Sequence, residues 1–269
     1  MNKPLRSGAA PLGEAALPSC GVAVMAKASI PGRTKTRLVP PLSFAEAAAF
    51  NTAFLQDVAA NILTAAQRTN ISGYMAFGPP ESVAFFQSML PAGIGLIESW
   101  LPNFGDCLFG TITQLLASGH EAAVVLNADS PTLPTSLLVN TADLLARPGD
   151  RAVIGPSTDG GYYLLGLKTA HRRLFEGIDW STERVARQTL EAAREIGLPV
   201  HVLPSWYDVD ERDALKQLHA ELFEGRPFAA ELQSHTAPRT TELMRSLLAG
   251  ADLADRLHIR ARSIEEAAE

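Results

Sequence analysis

Short apolar runs alternate with amphipathic helical segments along most of the chain, and this alternation constrains the fold more than any other feature. It is typical of β-strands joined by helical crossovers in a largely parallel sheet. Residues 22–25 form a suitable first strand. Ala122–Leu126 is a continuous apolar run, as expected of a central strand that is buried on both faces. The sequence therefore predicts an α/β fold with this strand near the middle of the sheet.

Helix-start signals place helices between the strands. Ser43 and Glu46 have the spacing of a capping box, and apolar residues recur every four positions after them, which predicts a helix over 44–67. Ser181 or Thr182 is expected to cap a long helix that ends near Ile196. The other predicted strands are 71–77, 94–97, 152–154, 162–167 and 199–203, and the other predicted helices are 81–90, 106–117, 134–146 and 211–222.

The distribution of Gly, Pro, Ala and charged residues predicts one folded domain flanked by two terminal segments of different composition. Residues 1–20 are broken by Gly and Pro and are predicted to be a disordered leader. The domain is predicted over 21–222. Residues 223–269 are Ala-rich and charged, and Leu253, Leu257 and Ile264 share one helical stripe. This extension is predicted to be helical and to pack on the core or on a second subunit, which would make a homodimer.

Charge and cysteine content exclude several classes of protein. With 23 basic and 29 acidic residues the net charge is −6, which argues against general affinity for nucleic acid. Two cysteines cannot build a disulfide framework or a four-cysteine zinc site. The N-terminal stretch lacks the apolar core of a signal peptide, and no window approaches the roughly 20 apolar residues of a membrane span. The expected location is the cytoplasm.

A basic loop follows the first predicted strand. It carries Lys27, Arg33, Lys35 and Arg37 within eleven positions, with Gly32 among them. In open α/β sheets ligands bind beyond the carboxyl ends of the strands, and fixed cations there suit a polyphosphate. The motif is neither a dinucleotide fingerprint nor a P-loop. The alternative interpretation is a solvated surface loop.

Two strand-end acids are candidate metal ligands. Asp129 follows the buried central run, where a carboxylate is costly unless it faces a cleft and meets a cation, and oxygen ligands suit Mg²⁺. Asp210 lies in Asp208-Val209-Asp210, after the last predicted strand, and is a second candidate ligand. Each acid has a structural alternative: Asp129 as a turn residue before Pro131, and Asp210 as a helix cap.

A glycine-rich loop lies between the strands predicted over 152–154 and 162–167. In Asp159-Gly160-Gly161-Tyr162 the paired glycines allow close approach of the backbone to a ligand, and Asp159 can accept hydrogen bonds from hydroxyl groups. These residues are candidates for binding the acceptor. The alternative is an Asp-Gly turn in an ordinary hairpin.

Taken in order, these motifs resemble a bacterial family of uncharacterised transferases with the GT-A, or nucleotide-diphospho-sugar transferase, fold. Members are often labelled glycosyltransferases, and the family is similar to molybdopterin-cofactor and phospholactate guanylyltransferases. The resemblance covers about 22–220. It rests on Met25-Ala26-Lys27, Pro31 through Leu38, Asp129-Ser130-Pro131, Asp159 through Gly166, Trp180-Ser181-Thr182 and Asp208-Val209-Asp210.

This chain departs from the family pattern in three places. Asn127-Ala128-Asp129 stands where glycosyltransferases of this fold carry an Asp-x-Asp pair. Glu211-Arg212 replaces the usual Thr-Pro, and Cys107-Leu108 follows Gly105-Asp106 in place of Leu-Gly.

The resemblance implies a transferase that binds a nucleotide or nucleotide sugar with Mg²⁺ or Mn²⁺. Asp129 and Lys35 would be catalytic, Asp129 and Asp210 would hold the metal, and the basic loop would bind the phosphates. The expected reaction is transfer of a sugar from a nucleotide sugar to a small-molecule acceptor. Transfer of a nucleotidyl group to a phosphorylated small molecule is the alternative. A third interpretation is a regulatory protein that binds nucleotide without turnover.

Overall fold

The protein is described by a computed structural model that covers residues 19–250 and 252–259. Most of the predicted leader, and Ile264 of the predicted stripe, lie outside these residues. Within them, seven strands form one sheet in the order β3-β2-β1-β4-β6-β5-β7. The strands are β1 (Cys20–Lys27), β2 (Ile71–Gly78), β3 (Ile94–Glu98), β4 (Ala122–Leu126), β5 (Ala152–Pro156), β6 (Tyr162–Leu167) and β7 (Val200–Val202).

Eight α-helices flank the sheet in the described part of the chain: α1 (Phe44–Ala66), α2 (Val83–Met89), α3 (Phe104–Ala117), α4 (Thr135–Ala146), α5 (Val185–Glu195), α6 (Arg212–Phe223), α7 (Pro238–Gly250) and α8 (Leu253–Leu257). Short 3-10 helices span Thr36–Leu38, Pro80–Ser82 and Arg172–Phe175. None of the helices in residues 19–250 and 252–259 combines the length and apolarity needed to cross a membrane.

The predicted α/β class with a mainly parallel sheet is confirmed. Strand β4 is the fourth of the seven, and all five of its residues are buried. It pairs in parallel with β1 and antiparallel with β6, the one strand of this sheet that runs against its neighbours. Alternation along β1 sends Val22 and Val24 to the core under α1, and Ala23 to the core under α3.

The first long helix begins where its capping box predicts. The Ser43 hydroxyl accepts a hydrogen bond from the Glu46 amide at 3.2 Å, and the Glu46 carboxylate accepts one from the Ser43 amide at 2.7 Å. Arg256 of α8 also binds Glu46, with Nη2 and Oε1 2.8 Å apart. Hydrogen bonding to Arg256 lowers the pKa of Glu46 to about 2. The cap of α1 therefore also anchors α8.

The helix predicted to start at Ser181 or Thr182 starts later, and that part of the prediction is wrong. Helix α5 begins at Val185, with Arg184 at the N-cap and no side-chain cap. Thr182 instead closes the preceding turn, because its hydroxyl donates to the carbonyl of Asp179 at 2.7 Å. Ser181 has a φ of 64°, which is left-handed backbone outside any helix.

A buried acid in α1 holds the C-terminal helices on the core. Asp57 is fully buried, and its two carboxylate oxygens accept hydrogen bonds from the amides of Arg239 and Thr240 at 3.0 and 2.8 Å. These amides lie in the first turn of α7, where backbone N–H groups lack helical partners and a negative charge is favourable. Leu253 and Leu257 of α8 are buried in the same core. The division into a domain over 21–222 and an extension remains a prediction.

We expect Asp57→Ala to lower the free energy of unfolding by about 1 to 3 kcal/mol, because two buried amides lose their acceptor. Urea unfolding measures the loss, and hydrogen exchange should show lost protection in α7 before the rest of the chain. Asp57→Asn keeps one acceptor oxygen and should lose less. Equal protection of α7 in wild type and Asp57→Ala would contradict the assigned role.

Candidate functional site

Loops from four strands converge at one edge of the sheet. Strands β1, β4, β5 and β7 all end at this edge, and β6 begins there. Their connections bring together Lys35 from the basic loop, Asp129 after β4, and Asp210 after β7, although 175 residues separate Lys35 from Asp210. The candidate site therefore lies where open α/β sheets bind ligands.

Lys35 is at the centre of this site. Its ammonium nitrogen lies 2.7 Å from Oδ1 of Asp129, 2.6 Å from Oδ1 of Asp210 and 3.0 Å from the carbonyl of Val209. Only 4% of the Lys35 side chain is exposed. Its backbone is left-handed, with φ 54° and ψ 37°, which turns the chain into the 3-10 helix of residues 36–38. A non-glycine residue held in this conformation is uncommon and occurs at tightly constrained sites.

The charges of these three groups depend on one another. Burial works against the charge on Lys35, but the two carboxylates outweigh it and raise the pKa of the ammonium. Burial and the neighbouring Asp210 raise the pKa of Asp129, although Lys35 opposes them. Burial also acts on Asp210, yet Lys35 and Arg37 stabilise its charge and lower its pKa. The site thus holds an ammonium and at least one carboxylate in charged form.

The other members of the basic loop lie at the surface. Arg37 is 66% exposed, and its guanidinium contacts Asp210 at 3.2 Å and Glu211 at 3.5 Å. Lys27, Gly32 and Arg33 are exposed, and neither Lys27 nor Arg33 forms an ion pair with any residue in the described ranges. A methyl group on Gly32 would meet nothing within 4 Å. The loop therefore presents one buried cation and three accessible ones.

Thr34 determines the shape of this loop and was not singled out from sequence. Its hydroxyl contacts the carbonyls of Ala28 and Ile30 at 3.0 and 3.2 Å, and it accepts a hydrogen bond from the Ile30 amide at 3.0 Å. Asn51 of α1 donates to the Lys27 carbonyl at 3.1 Å and contacts the Ser29 hydroxyl at 2.9 Å. These bonds hold the loop on α1 and direct Lys35 inward.

An acidic cavity of about 220 Å³ opens beside Lys35. Carboxylates dominate its lining, which consists of Arg37, Thr158, Asp159, Asp208, Asp210, Glu211, Asp213 and Ala214. Asp208 was not chosen as a site residue from sequence. Burial, Asp159 and Asp210 together raise the pKa of Asp208 to about 6. The sequence does carry a signal for Asp208, because Asp208 and Asp210 flank Val209, which is buried. Alternate residues of an extended segment point to the same side, so Asp208 is expected on the same side as Asp210.

The glycine-rich loop is a hairpin turn that also borders the cavity. Strands β5 and β6 are antiparallel, and the Gly161 amide donates to Oδ1 of Asp159 at 2.8 Å. Gly160 has a φ of 89°, and a Cβ there would lie 2.1 Å from the carbonyl oxygen of Glu183, so only glycine fits. Tyr162 points elsewhere: its hydroxyl is buried with no hydrogen-bond partner among the described residues, and its ring packs near Trp180.

Asp129 and Asp210 lie close enough together to share one cation, and in this structure that cation is Lys35. Hard carboxylate oxygens fit Mg²⁺ or Mn²⁺. No group of three or more His, Cys, Asp or Glu side chains in the described ranges has the arrangement of a metal site. Asn127, at the position of the missing first acid, donates to the Ser130 hydroxyl at 3.2 Å, and its Oδ1 is buried without a hydrogen-bond partner in the described part of the chain. The metal ligands therefore remain a prediction.

A second hydrogen-bond network connects the loop that carries Asp129 with the loop that carries Asp210. The Ser130 hydroxyl donates to the Tyr207 carbonyl at 2.8 Å, and the Val209 amide donates to the Asp129 carbonyl at 2.8 Å. The Tyr207 hydroxyl lies 3.1 Å from that of Thr132 and donates to the carboxylate of Glu221. The loops that carry Asp129 and Asp210 are thus hydrogen-bonded to each other. No sequence motif marks Thr132, Tyr207 or Glu221.

Comparison with known proteins finds one matching family model and several solved structures of similar fold. Residues 61–182 match a family described as an uncharacterized protein conserved in bacteria (DUF2064). This match confirms the resemblance to an uncharacterised bacterial family. No functionally curated protein matches the sequence.

Among solved structures, a protein of Desulfovibrio desulfuricans G20, provisionally named a nucleotide-diphospho-sugar transferase, superposes with a TM-score of 0.72. It is 24% identical, and the alignment covers 88% of this chain and 97% of that one, which confirms the predicted fold. A CMP:2-keto-3-deoxy-manno-octonic acid synthetase complexed with CTP is 11% identical, with a TM-score of 0.49 over 77% of this chain and 100% of the other. Rv0371c of Mycobacterium tuberculosis H37Rv, complexed with manganese, is 15% identical, with a TM-score of 0.43 over 76% and 98%.

Proposed function

We propose that this chain is a transferase that binds a nucleotide sugar with Mg²⁺ or Mn²⁺ and transfers the sugar to a small-molecule acceptor. The observation that carries the proposal is the convergence of Lys35, Asp129 and Asp210 at the carboxyl edge of the sheet, beside an acidic cavity. The name of the Desulfovibrio protein agrees with this class of reaction.

Each part of the site has a role in this reaction. Lys35 and Arg37 would contact the diphosphate oxygens, where arginine binds two oxygens at once and lysine acts as a point charge. Asp129 and Asp210 would hold the divalent ion, which stabilises negative charge on the departing nucleoside diphosphate. Asp159 lines the cavity and would accept a hydrogen bond from the acceptor hydroxyl. The oxygen of the acceptor hydroxyl would attack the anomeric carbon and pass its proton to the Asp159 carboxylate, as the bond from this carbon to the diphosphate breaks and the nucleoside diphosphate leaves.

Lys27 and Arg33 favour a second candidate function, nucleotidyl transfer. Both are exposed and form no ion pair among the described residues, so they can receive a leaving pyrophosphate. In that reaction a phosphorylated acceptor attacks the α-phosphorus of a nucleoside triphosphate, and the α–β phosphoanhydride bond breaks. Sugar transfer needs fewer cations, since its leaving group is a nucleoside diphosphate.

Product identity separates the candidates. The purified protein is incubated with panels of nucleotide sugars and nucleoside triphosphates, with Mg²⁺ or with EDTA, and products are identified by mass spectrometry. We expect metal-dependent consumption of one nucleotide sugar, with at least a hundredfold loss in Asp129→Asn and none in Lys168→Ala, which removes a cation that binds a backbone carbonyl of Arg147. Pyrophosphate from a triphosphate alone would establish nucleotidyl transfer. Binding without product would establish a regulatory protein.

A further inference from the structure

A surface of large apolar side chains lies at the same edge of the sheet as the candidate site. We call it the aromatic ledge, and it consists of Trp100, Leu101, Phe104, Tyr162 and Trp180. Trp100 and Leu101, in the connection from β3 to α3, are 57% and 49% exposed, and Phe104, the first residue of α3, is 51% exposed. Exposed apolar patches of this kind mark binding surfaces.

Three rings of the ledge hold one another in place, and two of them, Tyr162 and Trp180, are half-buried. The rings of Phe104 and Trp180 meet edge to face, with centroids 5.5 Å apart, and Tyr162 lies 6.5 Å from Trp180 in the same relation. Gly105 allows this packing, because a Cβ there would lie 2.7 Å from Nε1 of Trp180. The Leu101 amide donates to Sγ of Cys107 at 3.3 Å, which folds the connection back onto α3.

The ledge adjoins the candidate site at both ends. Tyr162 follows Gly161, whose amide binds the cavity-lining carboxylate of Asp159. At the other end, the ring of Trp100 packs on Gly78, the last residue of β2, since a Cβ there would lie 2.5 Å from that ring. Gly78 pairs with Lys27 of β1, one strand spacing of roughly 4.8 Å away.

We infer that the acceptor carries an apolar group, an alkyl chain or an aromatic ring, which lies on the aromatic ledge while its hydroxyl reaches Asp159. This inference rests on the proposed function and names the substrate class of that site. The ledge residues do not line the cavity, but Trp100 packs on Gly78, the strand partner of Lys27, and this proximity to the candidate site favours a small-molecule ligand over an anionic membrane. The charges near the ledge are of both signs, since Glu98 is exposed, Asp106 is bridged by Arg172 at 2.6 Å, and Lys27 forms no ion pair among the described residues.

The test uses n-alkyl β-D-glucosides from methyl to octyl, below their micelle concentrations, as probes of the full-length protein. Binding is measured by calorimetry and by tryptophan fluorescence. We expect affinity to rise about twofold to fourfold for each added methylene. In Phe104→Ser this dependence on chain length should fall by at least half. Ile196→Ser is the matched control, because Ile196 is 41% exposed at the end of α5, outside the ledge.

Affinity that does not change with chain length, or changes equally in both variants, would overturn the inference. So would concentration-dependent self-association by sedimentation that Phe104→Ser abolishes, because the ledge would then contact a second copy of the chain. The inference and the proposed function can fail separately. Lys35→Met should weaken nucleotide binding and leave the chain-length dependence intact, and a wild type that binds glucosides but no nucleotide would refute the proposed function alone.

Discussion

Lys35→Met is expected to lower the free energy of unfolding by about 2 to 4 kcal/mol at pH 7 in EDTA, because it removes the buried ammonium that lies between two half-buried carboxylates. The loss should shrink as the pH falls toward 4 and the carboxylates take up protons, since the neutral acids no longer repel each other. Chemical denaturation at pH 7 and pH 4 measures both values.

Lys35→Met should strengthen metal binding although it destabilises the fold. Lys35 and a divalent ion compete for the carboxylates of Asp129 and Asp210, so Lys35→Met should bind Mn²⁺ at least tenfold more tightly when nucleotide is absent. Electron paramagnetic resonance of free Mn²⁺ measures this.

Arg37→Met is the control for the loss of stability, because its guanidinium is 66% exposed and should contribute no more than about 1 kcal/mol to the free energy of unfolding. Equal losses of stability in the two variants would refute the central position of Lys35.

Asp208→Asn is expected to stabilise the protein by about 2 to 3 kcal/mol at pH 8 in EDTA. The folded state raises the pKa of Asp208 from 3.8 to about 6, so the folded protein binds this proton more tightly than the unfolded chain does. The resulting cost is absent below about pH 4, grows between pH 4 and pH 6, and is complete above that range. The amide keeps an oxygen for the Ser157 hydroxyl, which donates to Asp208 at 3.3 Å.

The gain in stability should therefore depend on pH. We expect no difference between Asp208→Asn and wild type at pH 4, and the full difference at pH 8. Asp213→Asn tests the specificity of the effect, because the Asp213 side chain lines the same cavity and is 94% exposed. It should change stability by less than about 0.5 kcal/mol at either pH. A stabilisation by Asp208→Asn that is the same at both pH values would contradict the assigned cause.

Local signals predicted most of the secondary structure, because their partners lie close in sequence. The capping box of Ser43 and Glu46 and the apolar run of β4 are of this kind. The Asp159-Gly160-Gly161 turn signal was also present, and the antiparallel β6 follows from it. Thr182 shows the limit of such signals, since a threonine that closes a turn and one that caps a helix look alike in sequence.

Less of the candidate site could be predicted from the sequence, because its side chains contact residues that are distant in the chain or contact backbone atoms. Lys35 was predicted to bind phosphate, and nothing local indicates that it lies between two carboxylates. Among the described residues, the Asp57 carboxylate accepts hydrogen bonds only from backbone amides of α7. Every residue except proline has such an amide, so the sequence does not identify these partners. Asp129 and Asp210 were predicted as site residues because they follow predicted strands, whereas the cost of burying Asp208 depends on its three acidic neighbours, which no local signal identifies.

The order of strands in the sheet also affects how the site forms during synthesis. Strands β3, β2, β1 and β4 are adjacent and can pair once about half of the chain has emerged from the ribosome, while β7 and Asp210 come much later. Until then, Lys35 lacks the second of its two carboxylates. Closing a loop of 175 residues has an entropic cost that grows only slowly with loop length. The chain must lose this entropy before the contact between Lys35 and Asp210 can stabilise the fold. Nascent chains that end before Asp210 should therefore lack this site, even when all seven strands of the sheet have been synthesised.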